Sequence, residues 1–460
     1  MKTIVVVGGG ITGLCTMHYV KRQMKEKNIE AKLVLIERNE YLGGKIHSMH
    51  EDSFIMETGA DSIVARHPGV LELVRELGFE SELVYNETGI SYIHTNNELH
   101  AIPAGSTFGI PMSIESLQAS TLISDEAKQR VLQDATIPNT TFTKESSIGA
   151  FLEYFLGEEI VRKQIAPVLA GVYSGDLYQL SLASTLPYLV DYKNEYGSIM
   201  KGFEANREQF EKAANKKFIS FRNGLSAIID RLEESLPDVT FMKKAEVHSV
   251  TKMGDQYEMV VGDETIVADI VVLAVPNETV REVLKDEALQ VSLNRFTTAS
   301  ALTLYVGFDV PDSVLPADGT GFIVSHNSDL VCDASTWTSR KWKHTSADGN
   351  LLVRLFYKNV NPRYAELAAM TDEELVAVAR KDIALSLGIQ NEPTVAKVTK
   401  WIDQMPRYDL AHHDALSVVV ADLAHRYPNV LLAGCSYFGV GIGACIQNGK
   451  HTAEQIVAIL

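Results

Sequence analysis

Thr3-Ile4-Val5-Val6-Val7-Gly8-Gly9-Gly10-Ile11-Thr12-Gly13 is the stretch on which the fold turns. Five β-branched residues in succession read as a strand buried on both faces. The glycine turn gives way to helical character over residues 14–27, and 32–37 (Lys-Leu-Val-Leu-Ile-Glu) form a second strand. Strand, turn, helix, strand makes a parallel α/β sheet the expected architecture. Gly8 permits the tight turn, Gly10 lets backbone approach a pyrophosphate, and Gly13 allows helix and sheet to pack closely. Gly9, Ile11 and Thr12 complete the turn. The helix N-terminus offers N–H groups and a partial positive charge to phosphates. Glu37 closes the second strand 24 residues after Gly13, where a carboxylate accepts from both ribose hydroxyls. That acid disfavours a ribose 2′-phosphate, and NADP with it.

Gly43-Gly44-Lys45 lies just beyond the second strand, and Glu57-Thr58-Gly59-Ala60-Asp61 a little further on. A glycine doublet there implies backbone passing so close to a ligand that a Cβ would clash. A nicotinamide dehydrogenase has no need of this second site. A flavin dinucleotide does, because it lies extended across the sheet with its ring held far from the adenine.

Further along, residues 71–77 read as a helix, 112–215 turn helical with exposed charge at 204–217, and 240–275 are strand-rich. Alternation in 298–360 suggests a mostly antiparallel sheet. Thr371-Asp372-Glu373-Glu374 is a capping pattern opening a helix over 371–387. The end of the chain is again strand, glycine loop and helix. The dinucleotide-type unit is therefore expected to be discontinuous, with the inserted segments building a second lobe.

The 460 residues are 46% hydrophobic and 22% charged, an ordinary globular balance. A formal net charge of −17 opposes binding to nucleic acid. Four cysteines, Cys15, Cys332, Cys435 and Cys445, with no C-x-x-C, fit a reducing compartment rather than a disulfide framework or zinc ribbon. Met1-Lys2-Thr3 leads into a short apolar run with no secretory leader, and no stretch approaches ~18 apolar residues. The expectation is a cytoplasmic protein without a transmembrane segment. His412-His413-Asp414 has no third ligand at helical spacing and reads as solvated loop rather than a metal site.

The run 5–13, Glu37, Gly43-Gly44-Lys45 and Gly59-Ala60-Asp61 resembles the flavin amine oxidase superfamily. Three further segments resemble its porphyrinogen oxidases, especially the soluble type of Gram-positive bacteria. They are Leu169-Ala170-Gly171-Val172-Tyr173-Ser174-Gly175-Asp176, Thr336-Trp337-Thr338-Ser339-Arg340-Lys341-Trp342, and Ala433-Gly434-Cys435 leading to Phe438-Gly439-Val440-Gly441-Ile442. The resemblance implies a Rossmann-like FAD-binding domain (1–70, 216–290, 396–460), a mixed-sheet substrate domain (71–111, 291–395) and an inserted helical domain (112–215). FAD is implied as a non-covalent cofactor. Its contacts are implied at the 8–13 turn, Glu37, Arg38, Gly44, Lys45, Glu57, Thr58, Gly59 and Ala60. Val247 would meet the adenine edge, Trp401 the flavin, and Gly434, Val440, Gly441 and Ile442 its pyrimidine side. Cys435-Ser436 stands where amine oxidases commonly carry an acid after Ala-Gly, and Cys435 and Cys445 read as packing.

The implied activity is oxygen-dependent oxidation of coproporphyrinogen III to coproporphyrin III in heme biosynthesis. Six electrons leave in three FAD cycles, with O2 as acceptor and H2O2 as product. Protoporphyrinogen oxidation is the nearest alternative, and amine oxidation or carotenoid desaturation a more distant one. Flavin N5 carries the chemistry, so no catalytic side chain is assigned. Substrate carboxylates on so acidic a protein need local cations. Arg66-His67 and Arg340-Lys341 are the candidates, with Tyr173 as a pocket residue. A ferrochelatase collecting the product is a further candidate partner.

Overall fold

The computed structural model describes residues 1–460 except 68, 88, 174–175, 213–217, 326–327 and 410, with the backbone alone at 171–173 and 211–212. Lys2–Val7 is the middle strand of a five-stranded parallel sheet. The order is Thr240–Met242, Ala31–Ile36, Lys2–Val7, Ile270–Leu273, Val430–Leu432. Strands from the start, middle and end of the chain thus make one sheet. Side chains of the first strand alternate between two cores. Ile4 and Val6 pack toward helices Ile11–Lys27 and Ile442–Ile459. Val5 and Val7 face a three-stranded antiparallel sheet of Val247–Met253, Gln256–Val261 and Glu264–Ala268. Both faces are covered, which is why the strand is apolar at every position from Ile4 to Val7.

The two long helices run side by side. A Cβ at Gly449 would come 2.7 Å from Cβ of Cys15 and 2.8 Å from the Thr12 carbonyl, so a glycine is needed where they touch. Their N-termini consequently emerge close together at the carboxyl ends of the parallel strands.

The second sheet has seven strands, in the order Pro393–Arg407, Thr297–Pro311, Asn350–Lys358, Ala334–Thr336, Gly319–Val324, Ile90–Thr95, Glu98–Ala101. It is antiparallel except where Gly319–Val324 runs parallel to Ile90–Thr95. Helix Asp372–Leu387 covers one face, and Thr371 and Glu374 form the reciprocal cap that the sequence predicts. Along Asn350–Lys358, Leu351, Val353, Leu355 and Tyr357 enter the core on that side. Arg354, Phe356 and Lys358 take the opposite face.

The segment between the sheets is mostly helical and has its own core around Phe151, Phe155, Leu189 and Phe203. Inside it Lys193 is paired with Asp134 at 2.7 Å and also donates to the Gly197 carbonyl, while Asp134 accepts the Ile199 N–H. The pair is fully satisfied, the condition under which a buried ion pair is tolerated.

The expectation for 412–414 is corrected. His412 opens helix His412–Arg426 and is buried, its ring 3.8 Å from that of Tyr408 and its Nε2 3.1 Å from the Tyr437 carbonyl. Tertiary neighbours, invisible to a pattern of adjacent histidines, take it out of solvent. Among the described residues no helix is long and apolar enough to cross a membrane.

Candidate functional site

A cavity of about 920 Å³ begins at the carboxyl ends of the parallel strands, where Val7, Ile36, Ala274 and Gly434 line it. It continues to the seven-stranded sheet, where Ile323, Phe356, Lys358 and Trp401 form the far wall. Open parallel sheets bind ligands at this end of their strands, where the order reverses.

The first turn is shaped by its own backbone. Gly8 has φ +107°, and a Cβ on it would lie 2.4 Å from the Ala274 carbonyl oxygen. A Cβ on Gly13 would lie 2.0 Å from the Gly8 carbonyl oxygen. Gly10 is different: its nearest protein neighbour is 4.0 Å away, so an added Cβ would occupy cavity instead. Gly10 is also the N-cap of Ile11–Lys27 and leaves its first N–H groups without a side-chain cap. Glu37 braces the turn. Its Oε2 accepts the Gly9 N–H at 2.8 Å and its Oε1 the Asn39 N–H at 2.9 Å, while the carboxylate borders the cavity.

The segment that follows presents Gly44, Lys45, Gly59 and Ala60 to the cavity. Gly43 borders the cavity as well, and a local turn also fixes it, at φ +111° with Ile46 O 2.4 Å from any Cβ. Gly59 packs on the Lys45 carbonyl, 2.0 Å from where a Cβ would stand. Glu57 and Thr58 are corrected: both lie behind the cavity wall. Glu57 accepts the Leu225 N–H and the Ser48 hydroxyl at 2.7 Å each, and burial pushes its carboxyl up to about 7. The Thr58 hydroxyl donates to the His47 carbonyl. The Thr58 carbonyl in turn accepts Trp401 Nε1 at 3.0 Å and Arg354 Nη2 at 3.3 Å, tying the second sheet to this loop.

At the other end of the chain Gly434, at φ +97°, donates its N–H to Asn448 Oδ1 at 2.8 Å. The Tyr408 hydroxyl donates to the Cys435 carbonyl at 2.7 Å and accepts the Gly439 N–H at 2.6 Å. Gly441 then caps Ile442–Ile459 without a side-chain bond, and nothing lies within 4 Å of a Cβ placed on it. Val440 and Ile442 line the cavity. Cys435 and Cys445 line it too. Cys445 is buried, and its thiol is pushed up to about 12 chiefly by that burial. Val247 and the exposed Arg38 border the end near Glu37.

The expected substrate cations are corrected. Arg66 is exposed. His67 packs against Gly443, where a Cβ would come 2.4 Å from its ring. Arg340 pairs with Asp312 at 3.0 Å, and Lys341 sits 4.0 Å from Asp61 and over the Phe218 ring. The side chain of Tyr173 lies outside the described residues. The cations that do border the far half of the cavity are Arg354 and Lys358. Their signal was the alternation Arg-Leu-Phe-Tyr-Lys over 354–358, which puts both on one face of a strand.

The arrangement suits an elongated ligand carrying phosphates and a flat ring. Gly10, Gly44, Gly434 and Gly441 leave room that the protein does not use, and two uncapped helix N-termini emerge beside it.

Comparisons with known proteins agree. The family described as flavin containing amine oxidoreductase matches residues 22–457. The coproporphyrinogen III oxidase of Bacillus subtilis (strain 168) is 31% identical over 465 residues, covering 100% of this chain and 98% of that protein. The coproporphyrinogen III oxidase of Staphylococcus aureus (strain NCTC 8325 / PS 47) is 31% identical over 470 residues and all of both chains. A crystal structure provisionally described as a protoporphyrinogen oxidase, from Exiguobacterium sp. 255-15, superposes with TM-score 0.90 at 30% identity, covering 100% and 99% of the two chains.

Proposed function

The chain belongs to the flavin-containing amine oxidoreductase family and is a flavin-dependent oxidoreductase; on that premise we propose that it binds FAD non-covalently and oxidises coproporphyrinogen III to coproporphyrin III for heme synthesis. The observation that carries the reading is the continuity of the cavity. One half is a glycine-walled cradle under two helix N-termini; the other is bounded by Phe356, Ile323, Val324 and Trp401. The substrate named for the two bacterial relatives supports the choice.

When bound, FAD accepts two electrons at a time and passes them to O2, so a six-electron oxidation takes three rounds and yields three peroxides. The protein's part is to bind and orient. Glu37 would meet the ribose hydroxyls, the N–H groups at Ile11 and Thr12 would meet pyrophosphate, and the N-terminus at Ile442 would stabilise negative charge on the ring's pyrimidine edge. Trp401, held by the Thr58 carbonyl, would limit how the ring can tilt. Aromatisation of the macrocycle supplies driving force, so no base from the chain is required. A ferrochelatase in the cytoplasm is the proposed recipient of product; crosslinking that never joins the two would count against this.

The test is direct. The purified protein should show flavin absorption, release FAD on denaturation, and convert coproporphyrinogen III to fluorescent coproporphyrin with three O2 consumed per porphyrin. Formation no faster than spontaneous oxidation overturns the reading, and a preference for protoporphyrinogen replaces its substrate.

A further inference from the structure

We infer that Lys358 is a substrate-binding residue, the cation that takes a carboxylate of the porphyrinogen; the inference rests on the function proposed above and names the residue that gives it selectivity. The residues the sequence offered for this task are engaged elsewhere or lie away from the cavity. Strand Asn350–Lys358 instead turns Arg354, Phe356 and Lys358 into it. Alternate residues on a strand stand roughly 7 Å apart, so the Cα atoms of Arg354 and Lys358 are about 13 Å apart, with Phe356 between them on the same face.

The two cations are held differently. Arg354 is 2% exposed, and its Nη2 donates to the Gly59 carbonyl at 2.9 Å as well as to Thr58 and Thr303. It is a positioning residue for the loop at 58–59. Lys358 is half-buried at the cavity wall, with its Nζ steadied by the Ala170 carbonyl at 3.1 Å. Asp333 lies beside it and accepts the Lys358 backbone N–H at 2.6 Å and an Asn361 amide hydrogen at 3.2 Å.

Charge argues the same way. Asp176 and Asp333 border this end of the cavity on a protein of net charge −17, so an acidic substrate needs a local cation there. Burial lowers the Lys358 pKa, and Asp333 only partly opposes this. A bound carboxylate would oppose it further, so ammonium and carboxylate favour each other. Phe356, Ile323 and Val324 give the pyrrole rings an apolar surface while the side arm reaches the charge.

The rival account is a strut: Lys358 merely ties its strand to the Ala170 carbonyl. The holoenzyme distinguishes them. Lys358→Gln should raise the KM for coproporphyrinogen III and weaken binding of coproporphyrin III, read by fluorescence, about tenfold or more, the usual worth of a charge-assisted hydrogen bond. Binding of coproporphyrin tetramethyl ester should not change, and Lys358→Arg should restore most of the loss. Equal weakening toward acid and ester, or none toward either, overturns the inference. So does loss of flavin absorption in both Lys358→Gln and Lys358→Met, which would mark a strut. Wild-type turnover is read separately: an active wild type with an indifferent variant sinks only this inference. A wild type that neither oxidises nor binds a porphyrin sinks the functional reading as well.

Discussion

The turns at 8–13 and 434–441 face one cavity from opposite ends of the chain, and each leads into a long helix that lacks a side-chain cap. They are built differently. The first is held largely by close backbone contacts, with Gly13 against the Gly8 carbonyl and Gly8 against the Ala274 carbonyl. Glu37, 28 residues from Gly9, braces it at the Gly9 N–H, and the Thr16 hydroxyl donates to the Thr12 carbonyl. The second is held mainly by side-chain hydrogen bonds. The Tyr408 hydroxyl bridges Cys435 and Gly439, Asn448 accepts the Gly434 N–H, and the Ser436 hydroxyl accepts the Asn277 N–H. Similar openings for a ligand can thus rest on close backbone contact or on side-chain hydrogen bonds, and the two should fail in different ways.

Gly13→Ala should be the most damaging change, because the obstacle is backbone and cannot swing aside. A loss of about 4 kcal/mol in unfolding of the flavin-stripped protein is expected, of the size reserved for forced backbone movement. A variant as stable as the parent would show that the contact does not hold the turn.

Glu57 tests the scaffold behind the first turn. With its carboxyl pushed up to about 7, the folded state keeps a proton that the unfolded chain releases above its ordinary value of 4.5. The contribution of Glu57 to stability therefore falls as pH rises from 4.5 toward 7 and levels off above it. Glu57→Gln should remove this slope, gaining on the wild type by up to about 3 kcal/mol across the window in urea titrations. Parallel stability curves for the two proteins would refute the assignment.

Gly10→Ala separates fold from ligand within the same turn. At φ −69° and with no neighbour closer than 4.0 Å, alanine is tolerated by the protein. Stability without flavin should change by less than about 0.5 kcal/mol. Flavin affinity should fall about a hundredfold, roughly 2.7 kcal/mol, read by equilibrium dialysis. If affinity is kept, the ligand does not approach there.

Tyr408→Phe does the corresponding thing to the second turn. It strands the Gly439 N–H and the Cys435 carbonyl and should cost about 1–2 kcal/mol, with flavin affinity down about tenfold. Unaltered flavin binding would mean the 434–441 loop keeps its shape without that hydroxyl.

Much of the architecture was legible before any coordinates. The β-branched run, the spaced glycines and Glu37 act over short stretches of chain, so residue type and spacing were enough to announce strand, turn, helix and ribose-side acid. The reciprocal cap at Thr371 and Glu374 was readable for the same reason. Both glycines of the doublet at 43–44 border the cavity, and Gly43 answers to the Ile46 carbonyl as well. Glu57 and Thr58 were placed at the ligand because they adjoin Gly59 in sequence, yet strand Phe54–Glu57 turns them toward Leu225 and His47.

The harder misses concern charge. Arg340 and Lys341 stand in a segment that invited a substrate role, but Asp312 and Asp61 are their partners, and neither acid is near them in the chain. Arg354 and Lys358 drew no notice, although alternation already put them on one side of a strand, opposite Leu351, Val353 and Leu355 in the core. Periodicity says which side chains share a face; it cannot say what that face looks upon. Local sterics belong to consecutive residues and are written in their order, whereas a cavity wall exists only once distant strands have met.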